Sequence, residues 1–490
     1  MRLSAILAAS VLVLTGCSAE VSDPIESIKA GQDPFSQEVV WTDCEDGFEC
    51  AVIGAPLDWL NPSDDVIPLK LIRSSSANGK PVIFVNPGGP GVSGVNWMRD
   101  GYEYIGTEDL RSQFQLVSFD PRGAGDSAGV SCPDQELKDT IYYEQSPHVY
   151  GSEEDLAYSR ELLALYAQDC LAQGFDPAYF NTQMAARDLE LMRALVGDEE
   201  LNYLGFSYGT ELGSTYAALF PDRVGNMVLD GAIDPTISDA ESLMGQVVGF
   251  DSAFRAYLED CLTRLNCPFV GDVDTAIGVV ANFLEERESS ALPTQLDRDL
   301  SLSATLTGII AALYSKDSWI YLTQAFVEAL DGDGTTMLML ADFYNDRDIA
   351  QGYLSNQNEA NLAIGCADGR IESEGIEELN ARFVEASAVF GKYFQHPDLA
   401  CENWPKGKSE VELDFTVKLA NPPLVVGTTG DPATPYAQAV ALSELLDGAT
   451  LLTLEGEGHT AYGQNICIDA IVEAYFRGED IGEGNKTCIG

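Results

Sequence analysis

Short apolar runs alternate with helical patterns over the first half of the chain. Residues 81–85 and 114–120 are rich in β-branched and aromatic residues and end in turn-forming sequences, which is typical of buried strands. Residues 184–195 place their apolar side chains near one helical face, and further strands are predicted at 201–204 and 226–230. Strands that alternate with helices predict an α/β fold with a mostly parallel central sheet.

The pattern changes between residues 236 and 411. Apolar residues recur there at helical spacing, and no comparable strand runs occur. Strand patterns return at 424–426 and 451–454, and a final helix follows at 468–476. This order predicts an α/β core formed by 41–235 and 412–490, interrupted by an inserted, mainly helical cap at 236–411.

The amino terminus resembles an export signal. An apolar run of about twelve residues follows Met1-Arg2, which is too short to cross a bilayer but suits a signal peptide. Leu14-Thr15-Gly16-Cys17 then resembles a lipobox, in which Cys17 carries the lipid. We therefore expect a lipoprotein signal peptide at 1–17, with an ordinary signal peptide as the alternative, and a flexible stalk at 18–40.

Acidic residues dominate the composition. The 490 residues include 78 Asp and Glu against 27 Lys and Arg, a formal charge of −51. Such a surface repels phosphate backbones, so nucleic acid is not an expected partner.

Ten cysteines remain when Cys17 is set aside, an even number that suggests disulfides in an exported chain. The sequence leaves the connectivity open, although pairing in chain order would close local loops. A metal site is not expected, because the chain has no Cys-x-x-Cys and only three histidines. The candidate disulfide residues are Cys44, Cys50, Cys132, Cys170, Cys261, Cys267, Cys366, Cys401, Cys467 and Cys488.

Two Gly-x-Ser-x-Gly motifs offer a serine nucleophile. Such a serine needs a strand before it and a helix after it, so that the sharp turn exposes the hydroxyl. Ser207 has both predicted flanks, whereas Ser127 is followed by Val130-Ser131-Cys132-Pro133, which does not read as a helix. We expect Ser207 to be the nucleophile and Ser127 to lie in a structural turn.

The general base must be one of three histidines. In α/β-hydrolases the order along the chain is serine, acid, histidine. His148 precedes Ser207, and His396 lies inside the predicted cap before Pro397. His459 follows a predicted strand and precedes the final helix, so we expect it to be the base.

The acid that orients the histidine should follow the preceding strand. Asp431 lies in the turn after 424–426, and Asp230 and Asp234 are the alternatives after an earlier strand. A carboxylate at Asp431 would hold the imidazole in the correct tautomer. Two backbone amides should complete the site as an oxyanion hole, one from Tyr208 and one from Gly89 in the glycine-rich loop 86–91.

Together these motifs resemble the tripeptidyl aminopeptidase branch of the prolyl-aminopeptidase-like serine peptidases, peptidase family S33, which includes mycobacterial lipoproteins called carboxylesterase A. The resemblance extends over nearly all of residues 41–490, with a looser match in the cap. The segments that carry it are 86–91, 120–127, 205–210, 229–231, 430–435 and 458–459.

The resemblance implies a catalytic triad of Ser207, Asp431 and His459, without a cofactor. It also implies a cap that selects substrates with a free amino end, and a disulfide between Cys467 and Cys488. Relatives that remove single prolines usually carry His-Gly-Gly-Pro-Gly, whereas Asn86-Pro87 precede the glycines here. Removal of single prolines is therefore not expected.

The expected function is a serine exopeptidase that releases short peptides from free N-termini through an acyl-enzyme. A carboxylesterase with the same triad is the second hypothesis, and a non-catalytic binding lipoprotein is the third. The expected partners are a peptide or small ester substrate and a membrane reached through the lipid on Cys17. We expect a monomer that is exported to the cell envelope.

Overall fold

The computed structural model of the protein describes residues 24–29, 31–44, 46–63, 65–172 and 174–490. The expected signal peptide 1–17, with Cys17, and the first part of the expected stalk lie outside the described residues.

A ten-stranded sheet forms the centre of the fold, with the strand order β1-β2-β3-β5-β4-β6-β7-β10-β11-β12. The pairs β1/β2, β2/β3 and β3/β5 are antiparallel, and the other neighbours run parallel. A separate hairpin is formed by β8 and β9. The strands are β1 Thr42–Asp43, β2 Phe48–Pro56, β3 Val66–Ser74, β4 Val82–Asn86, β5 Gln115–Phe119, β6 Leu201–Phe206, β7 Val224–Asp230, β8 Arg347–Asp348, β9 Gly352–Tyr353, β10 Leu424–Gly430, β11 Thr450–Glu457 and β12 Lys486–Ile489.

Helices connect the strands and build the cap. The helices are α1 Pro24–Lys29, α2 Gly94–Gly101, α3 Glu108–Gln113, α4 Gln135–Tyr143, α5 Glu153–Leu171, α6 Thr182–Val196, α7 Tyr208–Leu219, α8 Asp239–Leu262, α9 Val273–Arg287, α10 Leu302–Leu313, α11 Trp319–Leu330, α12 Thr335–Tyr344, α13 Gln357–Asp368, α14 Ile376–Ala386, α15 Tyr436–Leu445 and α16 Ile466–Phe476.

The parallel strands are apolar on both faces because helices cover both. Along β4, Val82 and Phe84 pack into one hydrophobic core, while Ile83 and Val85 pack into the core on the other face. This arrangement matches the continuous apolar runs in the sequence. The six predicted core strands are present, and the protein has the predicted α/β fold with a mostly parallel central sheet. The antiparallel hairpin of β2 and β3 was not foreseen.

Parallel strands end at one edge of the sheet, and the turns after them meet there. Asn86, Phe206, Asp230 and Gly430 are the last residues of β4, β6, β7 and β10. The register aligns Asn86 with Gly205 and Phe206 with Asp230. This edge brings together the segments that carry the candidate chemistry.

The residues 236–411 form α8 to α14 and the β8–β9 hairpin. Their own hydrophobic core includes Phe254, Tyr257 and Phe326. The division in space differs from the division along the chain, because Tyr143 of α4 joins this core, whereas Ile364 of α13 packs with the core of the main sheet.

The segment between β5 and α6 was not assigned a role by the sequence pattern. It forms the helical pair α4 and α5, and a disulfide between Cys132 and Cys170 joins the ends of the pair. Lys138 of α4 and Glu359 of α13 form an ion pair in which both side chains are buried. The α4–α5 pair is therefore fastened to the cap.

Residues 31–40 differ from the flexible stalk that the sequence pattern indicates. The Phe35 ring lies 5.9 Å from the Trp59 ring, between centroids. The Gln37 side chain donates to the Gly54 carbonyl at 2.9 Å and accepts from the Gly54 amide at 2.9 Å. These contacts place the segment against β2.

Five disulfides pair the ten cysteines in chain order: Cys44–Cys50, Cys132–Cys170, Cys261–Cys267, Cys366–Cys401 and Cys467–Cys488. Within the described ranges, no helix is long and apolar enough to cross a membrane.

Candidate active site

Ser207 occupies a sharp turn between β6 and α7. Its backbone has φ 54° and ψ −123°, a conformation that is costly for a residue with a side chain. The Ser207 amide donates to the Asp230 carbonyl at 2.8 Å, and the Thr210 amide donates to the Ser207 carbonyl at 2.8 Å. These bonds on either side hold the strained turn, as a nucleophile elbow requires.

Glycines are required around this turn because other chain segments approach their Cα atoms. A Cβ on Gly205 would lie 2.4 Å from the Gly209 carbonyl oxygen. A Cβ on Gly88, where φ is +94°, would lie 2.4 Å from the Phe206 carbonyl oxygen and 2.9 Å from Ser207 Cβ. The glycine-rich loop therefore packs directly against the elbow.

His459 and Asp431 come together from the turns after β11 and β10. The Nδ1 atom of His459 lies 2.9 Å from each carboxylate oxygen of Asp431. The His459 amide donates to the Tyr314 carbonyl at 2.8 Å, and the two rings meet edge to face at 5.3 Å between centroids. With Nδ1 held by the carboxylate, Nε2 is the nitrogen available for proton transfer.

Asp431 is buried, and four further hydrogen bonds satisfy its carboxylate. It accepts from the amides of Ala433 at 3.0 Å and Thr434 at 2.9 Å. It also accepts from the Thr434 hydroxyl at 3.0 Å and from the Thr460 amide at 3.2 Å. A buried carboxylate with this many donors is fixed in position, and it fixes the imidazole in turn.

The pKa of His459 reflects opposing effects. Burial lowers the pKa, whereas the charge of Asp431, its hydrogen bond to the ring and the charge of Asp230 raise it. The balance holds the pKa of His459 above its usual 6.5. Carboxylates that stabilise the imidazolium strengthen a general base.

Asp230, the first alternative acid, has a different role in the structure. Its carboxylate accepts from the Ala461 amide at 3.0 Å and the Tyr462 amide at 2.8 Å. Burial raises the pKa of Asp230 to about 6. Asp230 therefore anchors the loop that carries His459.

The remaining alternatives lie in ordinary structural settings. Asp234 accepts from the Thr236 amide at 2.9 Å, and the His148 ring packs against Tyr158. The His396 amide donates to Asn380 at 2.9 Å. The buried Ser127 hydroxyl accepts from the Lys70 amide at 2.7 Å.

Ser207 and His459 line one cavity of about 550 Å³, within the size range of ligand sites in proteins. The loop after β4 contributes Gly89, α13 contributes Asn361, and α4 and α5 contribute Tyr142 and Tyr166. The cavity lies between the carboxyl edge of the sheet and the cap.

The candidate oxyanion amides lie beside Ser207. Gly89 lines the cavity, and Tyr208 is the first residue of α7, directly after Ser207. The Gly88 amide is used internally, since it donates to the Asn86 side chain at 2.9 Å. The Asn361 side chain donates to the Pro90 carbonyl at 3.0 Å, which ties this loop to α13. A helix N-terminus also favours negative charge.

Sequence reasoning missed the α4–α5 wall and Thr434. Nothing local marks Tyr142 and Tyr166 as cavity residues, because they reach the site only through the packing of the helical pair. Thr434 did leave a signal, since Asp431-Pro432-Ala433-Thr434 has the spacing of a turn closed by a side-chain hydroxyl. Among the described residues, no group of three or more His, Cys, Asp or Glu could hold a metal ion.

A strained serine after a strand and a buried Asp–His pair at the carboxyl edge of the sheet define a class of enzyme. The protein is a serine hydrolase with the α/β-hydrolase fold.

Comparisons with known proteins agree with this class. The profile of the α/β-hydrolase fold matches residues 81–304, and that of the TAP-like protein family matches residues 387–488. Serine protease Hip1 of Mycobacterium tuberculosis is 34% identical over 511 residues, with 99% of this chain and 96% of the relative covered.

Two other relatives are similar over most of their length. Carboxylesterase B of Mycobacterium tuberculosis is 33% identical, covering 91% of this chain and 90% of the relative. Tripeptidyl aminopeptidase of Streptomyces lividans is 27% identical, covering 91% of this chain and 86% of the relative. The chain belongs to the α/β-hydrolase family that includes serine protease Hip1 and carboxylesterase B.

Proposed function

We propose that this serine hydrolase releases short peptides from free N-termini, with Ser207, His459 and Asp431 as its catalytic triad. The observation that carries the proposal is the shared cavity, which Ser207 and His459 both line. The Asp431 carboxylate lies 2.9 Å from His459 Nδ1 and orients the ring.

The mechanism follows from these positions. His459 Nε2 takes the proton of the Ser207 hydroxyl as its oxygen attacks the scissile carbonyl, and His459 then gives that proton to the leaving amine. Water, activated by the same histidine, hydrolyses the acyl-enzyme. The amides of Gly89 and Tyr208 would stabilise the oxyanion, a contribution of about 10²–10³ in rate for each donor.

Coverage of the cavity supports an exopeptidase. The proposed cap, residues 236–411, acts together with α4 and α5, which supply Ile141, Tyr142, Leu163 and Tyr166 to the cavity wall. A polypeptide that enters such a covered site by its end needs less space than one that passes through it. The relative named tripeptidyl aminopeptidase is consistent with this proposal.

Ester hydrolysis is the second candidate function. The same serine chemistry cleaves esters and amides, and one relative is named carboxylesterase B. A comparison of amide and ester substrates decides between the two.

We also propose that the chain is exported and anchored through a lipid on Cys17. The five disulfides of the described residues support export, because disulfides persist in oxidising compartments. Labelling of producing cells with a radioactive fatty acid should mark the protein, and Cys17→Ser should abolish the label. A labelled Cys17→Ser variant would contradict the anchor.

The activity test uses the soluble chain without residues 1–17. The substrates are free-amine and N-blocked anilides of one to three residues, together with a p-nitrophenyl ester. Free-amine peptides should be cleaved and N-blocked ones should not, and Ser207→Ala should lower the rate by about 10⁶. Turnover of the ester alone would identify an esterase.

Ser127→Ala is the matched control, because it removes the serine of the other Gly-x-Ser-x-Gly motif. A fluorophosphonate probe should label the parent and Ser127→Ala but not Ser207→Ala. Equal labelling of Ser207→Ala would exclude Ser207 as the nucleophile.

A further inference from the structure

The cavity beside Ser207 is almost free of charge. Of the 19 residues that line it in the described part of the chain, none is Asp, Glu, Lys or Arg, and His459 is the one member that titrates near neutral pH. The chain has 78 acidic residues, so this lining contrasts with the rest of the molecule. A second cavity of about 670 Å³ shows the contrast, because Glu211, Asp239 and Asp368 line it.

Tyrosines and carboxamides form the polar part of the lining. Burial raises the pKa of Tyr142 to about 12, and it raises the pKa of Tyr166 and Tyr314 further. The hydroxyls of Tyr142 and Tyr166 lie 3.3 Å apart, within reach of a hydrogen bond. These phenols remain neutral over the whole working pH range of a hydrolase.

Each buried charge behind the lining has a partner. The Asp431 carboxylate is held by His459 Nδ1 at 2.9 Å and does not line the cavity. Lys138 and Glu359 form an ion pair behind the wall, and neither lines the cavity. The Lys138 ammonium also lies over the Tyr353 ring, 4.6 Å from its centroid. A substrate in the cavity therefore meets no free carboxylate that could pair with a cation.

A cation in such a cavity would lose its hydration without gaining a counter-ion. Burial of an unpaired charge is strongly unfavourable, whereas apolar and aromatic groups gain free energy when they leave water. An α-ammonium on the residue whose carbonyl Ser207 attacks would enter this cavity with that carbonyl. A lysine or arginine side chain of the same residue would meet the same cost.

We infer that the cavity binds an uncharged, preferably aromatic acyl residue, and that the free amine of the substrate lies at least one residue beyond it. The inference rests on the proposed function and makes it more specific, since it excludes single amino acids as the acyl part that is transferred to Ser207. Tyr142, Tyr166 and Thr307 would be specificity-determining residues.

Thr307 of α10 offers a way to change the charge of the wall. It lines the cavity, and its hydroxyl donates to the Ser303 carbonyl of its own helix at 3.0 Å. Thr307→Glu adds a carboxylate, and Thr307→Gln is the uncharged control of nearly the same size. Both changes remove only this bond within α10, and neither removes a hydrogen bond from α10 to another helix or strand.

Two matched substrate pairs test the inference on the parent enzyme. The first pair is the p-nitrophenyl ester of 3-phenylpropanoic acid and that of phenylalanine, which differ by the α-ammonium. The second pair is the anilides of Ala-Ala-Phe and Ala-Ala-Lys. In each pair kcat/KM of the uncharged member should be higher by at least about tenfold, which corresponds to about 1.4 kcal/mol. The rate measured with Ser207→Ala is subtracted as the background hydrolysis that does not depend on Ser207.

Thr307→Glu should reduce the preference for Ala-Ala-Phe over Ala-Ala-Lys by about tenfold, and Thr307→Gln should not. Equal kcat/KM within both pairs for the parent enzyme would overturn the inference, whatever the variants do. Hydrolysis of p-nitrophenyl acetate reports the triad separately. If neither that ester nor any free-amine peptide anilide is hydrolysed, the proposed function fails. If these substrates are hydrolysed without discrimination in the pairs, only this inference fails.

Discussion

The Asp230 carboxylate accepts a hydrogen bond from the Tyr462 amide at 2.8 Å, which ties the end of β7 to the loop after β11. The same carboxylate accepts from the Ala461 amide, and Asp230 is completely buried. Since His459 lies on this loop, Asp230 affects His459 in two ways: it holds the backbone of the loop, and its charge acts on the imidazole.

The acid limb of the pH–rate profile should therefore depend on Asp230. A general base acts in its neutral form, so with His459 as the proposed base kcat/KM should rise with pH through a pKa above 6.5. The negative charge of Asp230 favours the imidazolium, so Asp230→Asn should lower the pKa of His459 and move the acid limb to lower pH. The profile is measured with a neutral ester substrate.

Asp234→Asn is the control for this shift, because the Asp234 carboxylate caps the Thr236 turn and does not contact the His459 loop. Its acid limb should coincide with that of the parent. An unchanged acid limb in Asp230→Asn would show that the charge of Asp230 does not reach the base.

Asp230 should also make stability depend on pH. Its pKa is about 6 in the folded protein against 3.8 for the ordinary group, so the folded state holds the proton more tightly. The free energy of unfolding should therefore fall as pH rises from about 3.8 to about 6, by about 3 kcal/mol. Asp230→Asn should lose this dependence. In thermal unfolding, the stability of the variant relative to the parent should therefore increase between pH 4 and pH 7. A constant difference would contradict the assignment.

Thr434 should act as a positioning residue for Asp431. Its hydroxyl donates to the Asp431 carboxylate at 3.0 Å and lies 3.4 Å from His459 Nδ1. Thr434→Val keeps the shape and removes the hydroxyl, so kcat should fall by about tenfold with KM nearly unchanged. Thr434→Ser should restore most of the rate. Equal loss in both variants would indicate a packing effect.

Gly88 should not tolerate a side chain. A Cβ there would lie 2.4 Å from the Phe206 carbonyl oxygen, and φ is +94°. Gly88→Ala should abolish measurable hydrolysis, because the loop and the elbow cannot both keep their positions. Gly278 of α9 is the control, since a Cβ there meets nothing within 4 Å. Gly278→Ala should leave kcat/KM unchanged and stabilise the fold by about 0.5–1 kcal/mol. An active Gly88→Ala variant would contradict this packing.

The buried ion pair of Arg122 and Asp188 should be important for stability. Arg122 donates to Asp188 through two nitrogens at 2.7 Å, and the two side chains are 0% and 3% exposed. Asp188→Asn leaves the guanidinium without a counter-ion and should cost about 3–5 kcal/mol in thermal unfolding. Glu372→Gln breaks the exposed Lys406–Glu372 pair and should cost about 0–1 kcal/mol. Similar losses in the two variants would contradict the argument.

Local sequence was sufficient to predict the elements around Ser207. The run before Ser207 is a strand and the stretch after it is a helix, as predicted. A strand, a tight turn and a helix are encoded by residues close together in the chain, so their pattern can be read directly. The predicted pairing of Asp431 with His459 followed from chain order in the same way, and the two residues lie in contact.

The wall of the cavity could not be predicted in this manner. Tyr142 and Tyr166 line the same cavity as Ser207 because of how the α4–α5 pair packs, and Lys138 of α4 meets Glu359 of α13 across 221 positions of sequence. Residues 31–40 looked like a stalk because their polarity does not reveal that Gln37 bonds to Gly54.

The sequence by itself determined six strands of the central sheet, the turn at Ser207 and the candidates for the triad, because periodicity, turn chemistry and chain order can be read along the chain. Only the tertiary structure decided that Asp230 anchors the loop that carries His459, and that no Asp, Glu, Lys or Arg among the described residues lines the cavity. Those properties depend on distances between segments far apart in the chain, which the packing of the cap and the sheet sets.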